Sequence, residues 1–267
     1  MKFYLSYFKL RFITSLQYKV SALAGVLTQF FFGIVYVMVF LAFYDSNSAK
    51  GPMEIGELVS YLWLGQAFFS LLFMYYKDPE IFDLIKNGNI AYELIRPKNV
   101  YIMWFCKILS QRLANTTLRF LPVIVIGLLL PKPYGLSLPY SLDNFILFMV
   151  TLIIGTLLMT AIITFYHVIS LNLLNEKGII NIFSTLADIF SGSTVPIPFF
   201  PLFLQKIAYV LPFRYINDLP FRIYSNNIDI ANGINEMIIQ IIWLILMILI
   251  GYFVMKKNLK KAVIQGG

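Results

Sequence analysis

The chain has 267 residues, of which 59% are hydrophobic and 13% are charged, and its mean hydropathy is +0.77. Soluble domains carry about 25% charged residues, so this composition excludes an ordinary soluble protein and predicts an all-α integral membrane protein. The formal net charge of +8 comes largely from basic residues beside apolar stretches. That distribution is typical of cytoplasmic loops, so no nucleic-acid partner is expected.

Several kinds of site are excluded because the residues that build them are scarce. Cys106 is the only cysteine and His167 the only histidine, which excludes an internal disulfide, a cysteine metal cage and an HExxH site. The sequence contains no GxxxxGK[ST], GxSxG or GxGxxG motif. We therefore predict no catalytic, cofactor-binding or metal-binding residue, and we interpret His167 as an interfacial packing residue rather than a ligand.

The first part of the chain predicts an amphiphilic segment and two membrane spans. Residues 1–19 mix basic with aromatic side chains, which indicates an interfacial helix attracted to anionic lipid. Residues 20–44 carry no charge and are long enough to cross a ~30 Å hydrocarbon core. After a polar outer loop, residues 58–76 predict a second span that returns to the inner side.

A charged stretch then separates two long apolar ones, and residues 78–88 within it predict a short amphipathic helix. Asp78 is a favourable N-cap, Pro79 suits the first helical position, and Gly88 follows the predicted end. Two interpretations are open, a helix that docks into a soluble partner and a plain surface loop. At helical spacing one side is apolar and the other charged: Ile81, Phe82, Leu84 and Ile85 against Glu80, Asp83 and Lys86.

Residues 101–130 predict a third span with a polar stripe along one side. Arg119 lies eleven residues before Leu130, which is about 16 Å of helix and places it near mid-membrane. An arginine there costs at least ~2.5 kcal/mol unless it is partnered, so the stripe must face protein or water. It could line a translocation path or subunit interface, or form a structural ion pair inside the bundle. Its members are Lys107, Gln111, Arg112, Asn115 and Arg119.

The second half of the chain contains an interrupted span. Residues 145–174 predict a fourth span, and residues 178–192 a fifth that is too short to cross the membrane alone. Asp188 would lie near mid-depth, and its charge predicts an ion pair with Arg119. Residues 193–212 predict a re-entrant helical hairpin, because the chain breaks there at glycine and proline: Gly192, Pro196, Pro198, Pro201 and Pro212.

A mixed outer loop begins at Arg214, and residues 234–255 predict the last span. The predicted inner segments hold 14 of the 21 Lys and Arg residues and the outer loops hold five. This bias predicts six spans with both termini in the cytoplasm.

At this point the layout resembles the permease subunits of ABC-2 type exporters. Residues 88–97 (GNIAYELIRP) are similar to the G-x-I-x-x-x-L-x-R-P run that follows the coupling helix in one bacterial branch. The spacing from Gly192 through Pro196, Pro201 and residues 211–213 (LPF) is similar to that branch's hairpin, and residues 220–224 to its outer loop.

The resemblance implies a complex in the bacterial cytoplasmic membrane. It would contain two permease subunits, identical or homologous, and two separate ATPase subunits that hold ATP and Mg. This chain would contain no cofactor, and the helix at residues 78–88 would couple it to the ATPases by inserting its apolar side into a groove.

Three other classes stay open. An ion-gradient-driven secondary transporter could use Asp188 and Arg119 as a relay, although such proteins often show repeated halves and this chain has no repeat. A lipid-modifying membrane enzyme would need clustered acids, bases or metal ligands near one interface. A structural anchor subunit could use the polar stripe for assembly alone. Co-purification with a P-loop ATPase separates the first of these from a permease. The basic stripe is compatible with an anionic or amphipathic cargo.

Overall fold

The computed structural model describes residues 2–17, 19–46, 51–75, 78–90, 93, 98–171 and 176–260. Within these residues all regular secondary structure is helical, as the composition predicts. Eleven α-helices are described, and two short 3-10 turns lie at Ile197–Phe199 and Pro212–Tyr215. The α-helices are α1 (Lys2–Ser15), α2 (Lys19–Ser46), α3 (Ile55–Ala67), α4 (Phe69–Leu72), α5 (Pro79–Lys86), α6 (Val100–Leu129), α7 (Leu142–Ser170), α8 (Glu176–Phe190), α9 (Leu202–Val210), α10 (Asp218–Tyr224) and α11 (Ile230–Leu259).

Four of these helices, α2, α6, α7 and α11, are long and apolar enough to cross a membrane. They overlap the segments predicted as spans at 20–44, 101–130, 145–174 and 234–255. The end of the third of these segments lies partly outside the described residues. Large apolar side chains on α2 and α11 are exposed, which suits helices whose outer surfaces meet lipid rather than water.

Helix α7 forms the centre of the bundle. Within its most apolar window 67% of the residues are buried, against 17% for α11 and 22% for α2. Its interior threonines donate their hydroxyl hydrogen bonds to carbonyls four residues earlier, as Thr156 does to Leu152 and Thr160 to Thr156, each at 2.8 Å. Polar side chains are thereby satisfied within the helix and need no water.

The segment predicted as one span at 58–76 is interrupted. Helix α3 ends at Ala67, Phe68 leaves helical geometry, and the four-residue α4 ends at Leu72. The carbonyls that the early end leaves without intrahelical partners are bound by Arg112 of α6. A guanidinium at a helix C-terminus satisfies these groups and complements the helix dipole.

The chain after α8 breaks at Gly192, as the sequence predicts. Gly192 has a φ of 78°, a left-handed conformation in which a side chain is strained. Tyr61 of α3 donates its hydroxyl hydrogen bond to the Gly192 carbonyl at 2.8 Å. A Cβ atom at position 192 would lie 2.5 Å from that hydroxyl oxygen, so both the backbone and its neighbour require glycine here.

The segment from Arg214 onward is not the outer loop that its mixed composition predicts. It forms a 3-10 turn and then α10, which packs against α7. Arg214 is 1% exposed and Asp218 is fully buried, with the Arg214 Nε 3.8 Å from the Asp218 Oδ2. The Gln240 amide of α11 holds this segment by donating to the carbonyls of Tyr215 at 2.7 Å and Thr151 at 2.8 Å. Charged residues usually indicate an exposed loop, but the charges of this segment are paired inside the protein.

Candidate functional site

Helix α5, at Pro79–Lys86, occupies most of the segment predicted at residues 78–88. The Asp78 carboxylate accepts a hydrogen bond from the Ile81 amide at 3.0 Å, and Pro79 is in the first turn. Gly88, with a φ of 68°, follows the last turn. These are the start and stop signals of a short helix. Of the run at 88–97, residues 91, 92 and 94–97 lie outside the described residues.

The apolar side of α5 packs into this chain's own bundle. Ile81 is 1% exposed, and the Phe82 ring lies 5.0 Å from the ring of His167 on α7. Part of the apolar side is therefore occupied within the chain, and the expectation that this side fills a groove on a partner stays a prediction. Leu84 and Ile85 are half-buried, whereas Glu80, Asp83 and Lys86 are exposed. The charged side of α5 is therefore the more exposed of the two.

Four charged residues join α5 to the helices around it, and we call Arg11, Asp78, Glu80 and Lys107 the charged cluster. The Lys107 Nζ lies 2.8 Å from the Asp78 Oδ1 and 2.8 Å from the Glu80 Oε2. The side chains of Lys107 and Asp78 are only 3% and 0% exposed. Charge-assisted hydrogen bonds at this distance are strong ones. The N-cap of α5 is thus fixed to α6 by a buried ion pair.

Glu80 extends the cluster to α1. The Arg11 Nη2 lies 2.9 Å from the Glu80 Oε2, and the Arg11 Nη1 donates to the Glu80 Oε1 at 3.1 Å. Burial raises the pKa of the Glu80 carboxyl, but hydrogen bonds from Lys107 and Arg11 outweigh burial, so the pKa lies below its ordinary value. Because Glu80 is more than half exposed, this contact is weaker than the buried pair.

His167 completes the attachment of α5 from the side of α7. Its Nε2 accepts the backbone N–H of Asp78 at 3.1 Å, and its Nδ1 lies 2.8 Å from the Ile163 carbonyl. A ring nitrogen that accepts from an amide carries no proton, so the ring donates through Nδ1. The residue is buried and packs against α5, which agrees with its interpretation as a packing residue. Helices α1, α6 and α7 therefore all hold α5.

The polar stripe on α6 has several separate roles. Lys107 belongs to the charged cluster. Arg112 is 2% exposed and donates to the carbonyls of Leu71 at 3.1 Å and Phe73 at 2.6 Å. Of the two interpretations of the stripe, Arg112 fits the structural one, because it binds backbone carbonyls inside the bundle. Gln111 and Asn115 are half-buried.

The predicted ion pair between Arg119 and Asp188 is wrong for the structure described. The Arg119 guanidinium donates to the Ser70 hydroxyl and to the Ser21 carbonyl, each at 3.3 Å. The Asp188 carboxylate instead accepts from the Ser193 hydroxyl at 2.7 Å. Opposite charge and similar depth are insufficient for a pair, because each residue has other hydrogen-bond partners in the structure.

Asp188 lines a pocket of about 270 Å³ between α2, the α3–α4 break and the end of α8. The hairpin residues follow it in the chain. Pro196 precedes the first 3-10 turn, which contains Pro198, Pro201 precedes α9, and Pro212 opens the second 3-10 turn. The prolines thus stand at helix starts, where a missing N–H costs nothing.

Two arrangements escaped the sequence reasoning, the Lys107–Asp78 pair and the Arg112 clamp. Each joins residues about thirty to forty positions apart, and no local periodicity encodes such a contact. The sequence did show charged residues in an apolar span, and the cost of burying them predicts that each has a partner. It does not predict which residue that partner is.

Together, the apolar helices and the polar contacts between them define an integral membrane protein. Residues 32–266 match the family described as ABC-2 family transporter protein. The chain belongs to this family, and the resemblance read from its motifs is confirmed. Members of this family are membrane subunits that typically work with ATPase subunits. No protein of curated function and no solved structure matched the chain.

Proposed function

We propose that this chain is the permease subunit of an ATP-driven exporter. Two permease subunits, identical or homologous, form the translocation path, and two separate ATPase subunits supply the energy through ATP and Mg that they hold. The observation that carries the proposal is α5: its charged side is exposed, while its other contacts attach it to three other helices. A helix held in this way moves together with the helices that it contacts, so a displacement of α5 by a partner is passed to the bundle.

The proposed arrangement in the bacterial cytoplasmic membrane has six crossing elements and both termini in the cytoplasm. Four are α2, α6, α7 and α11. The interrupted α3–α4 pair and α8, continued by the hairpin through α9, complete the set. The basic residues in the sequence support this orientation. Exposed apolar side chains on α8 and α9, such as Ile182, Phe183 and Phe203, support contact with lipid or with the second permease.

The contacts suggest a route from α5 to the polar pocket. Movement of α5 is carried to α6 through Lys107, and Arg112 lies five residues further along the same helix, about 7.5 Å away. Arg112 holds the carbonyls at the end of α4, and Phe69 and Phe73 from this region line the pocket. Closure of the ATPases would thus displace the pocket wall as a rigid-body movement.

Co-expression with a candidate ABC ATPase from the same organism tests the proposal. We expect a tag on the chain to retain that ATPase through membrane extraction, and Asp83→Lys on the exposed side of α5 to reduce retention about tenfold. Asp143→Lys, an exposed charge reversal at the far end of α7, is the matched control and should retain it fully. Transport by the chain alone, driven by an ion gradient, would show a secondary transporter and contradict the proposal.

A further inference from the structure

Asp188 gives the pocket a carboxylate, whose oxygens are charged hydrogen-bond acceptors. The carboxylate is half-buried, and its oxygens accept from the hydroxyls of Ser193 at 2.7 Å and Thr194 at 3.4 Å. Among the described residues no Lys or Arg nitrogen lies within 4 Å of it. No basic residue lines the pocket. Its negative charge is therefore not balanced by a neighbouring side chain of the described chain.

Two buried amide side chains, those of Gln29 and Asn217, also line the pocket. Gln29 on α2 is 4% exposed and Asn217 is 3% exposed, and both line the pocket with Asp188. Their nitrogens donate to Ser70 at 3.4 Å and Ser191 at 3.2 Å. Their oxygens, Gln29 Oε1 and Asn217 Oδ1, have no hydrogen-bond partner among the described residues. A buried acceptor left unpaired is costly, so a donor that reached either oxygen would be stabilised there.

We propose that this pocket binds the primary ammonium group of an amphipathic substrate. An ammonium has three N–H donors, and the Asp188 carboxylate presents a charged acceptor to the pocket, with the enclosed amide oxygens of Gln29 and Asn217 on lining residues beside it. Aromatic rings complete the lining, among them Tyr36 and Phe69, and rings attract a cation through their faces. This inference rests on the proposed permease function and names the class of its cargo.

The size of the pocket restricts what enters it. About 270 Å³ is below the usual volume of a site that encloses a drug-sized molecule, but it holds a head group. A bare metal ion would leave most of that volume and the aromatic lining unused. The ammonium head therefore enters the pocket, and the apolar tail of the substrate stays in the membrane or between subunits.

Photolabelling of the full chain tests the assignment directly. The chain is placed in nanodiscs of phosphatidylglycerol, which supplies no amine, and is exposed to dodecylamine carrying a diazirine, or to the matching alcohol. We expect the amine to label peptides covering residues 28–36 and 188–194, and Asp188→Asn to lower this labelling about tenfold through loss of the charge-assisted bond. The alcohol should label these peptides weakly and equally in both proteins. Asp143→Asn removes an exposed charge elsewhere and should leave amine labelling unchanged.

A thermal unfolding curve shows whether the Asp188→Asn protein is folded. If it is not, Gln29→Leu replaces it, with the same expected direction. Equal amine labelling of the wild type and either folded variant, or complete loss of labelling in millimolar sodium, would overturn the ammonium site. Because no ATPase is present, this result is independent of the co-purification test: retention of the ATPase without pocket labelling would refute only the substrate class.

Discussion

The Lys107 Nζ lies 2.8 Å from the Asp78 Oδ1, and both side chains are almost completely buried. This pair fixes the beginning of a short helix to the first third of a long one. The same Asp78 oxygen also accepts from the Ile81 amide at 3.0 Å, so the cap of α5 and its attachment to α6 depend on one carboxylate. The charged cluster therefore determines whether α5 forms and where it lies.

Replacing Lys107 by methionine tests this dependence. The substitution keeps the length of the side chain but removes the cation beside a buried carboxylate, and we expect a loss of about 3–5 kcal/mol in the free energy of unfolding. Asp78→Asn keeps a good N-cap. The double variant should therefore be more stable than Lys107→Met alone. A denaturant titration in detergent measures all three variants, and additive losses would contradict the pair.

The lowered pKa of Glu80 predicts that the stability of the contact between α1 and α5 depends on pH. A carboxyl whose pKa in the folded protein lies below its ordinary value of 4.5 contributes stability above that ordinary value, and this stability is lost as the pH falls through the lower pKa. We expect the contact between α1 and α5 to weaken only below about pH 4.5. Glu80→Gln should remove that part of the pH dependence of unfolding. An unchanged profile in this variant would refute the assignment to Glu80.

The clamp formed by Arg112 gives a third prediction. Its guanidinium donates to the carbonyls of Leu71 and Phe73 at the end of α4, and a lysine cannot reproduce two separated bonds. We expect Arg112→Lys to lower the free energy of unfolding by about 2 kcal/mol. Arg119→Lys on the same helix is the matched control, since Arg119 is less buried and its hydrogen bonds are longer. A smaller loss at position 112 than at position 119 would contradict the clamp.

The sequence was sufficient for features that depend on local chemistry. The cap at Asp78, the break at Gly192 and the long apolar helices follow from residue preferences and hydropathy, and the structure has each of them. Features that depend on distant partners were missed or wrong. Arg119 and Asp188 were paired by opposite charge and similar depth, and Arg214 was assigned to a loop because the segment around it is mixed in composition. In both cases the outcome depends on which groups are buried against one another in the folded protein, and a single sequence does not contain that information.

Helix α5 allows packing and coupling to be tested separately. Phe82 contacts His167 inside the bundle, so Phe82→Ala should cost about 2 kcal/mol in the free energy of unfolding, less than a fully buried phenylalanine. Asp83 is exposed on the opposite side, and surface substitutions away from special features change stability by at most about 0.5 kcal/mol. Asp83→Lys should therefore leave the bundle intact.

The two variants should also differ in ATP use once the purified complex is returned to liposomes. We expect Asp83→Lys to abolish the link between ATP hydrolysis and transport at normal stability, because a partner that reads the charged side of α5 meets a reversed charge. Phe82→Ala should lose ATP hydrolysis and transport only in proportion to the fraction of the protein that is folded. If Asp83→Lys transports normally while Phe82→Ala is uncoupled at full stability, the partner reads the apolar side of α5, and the packing described for this helix is not the working one.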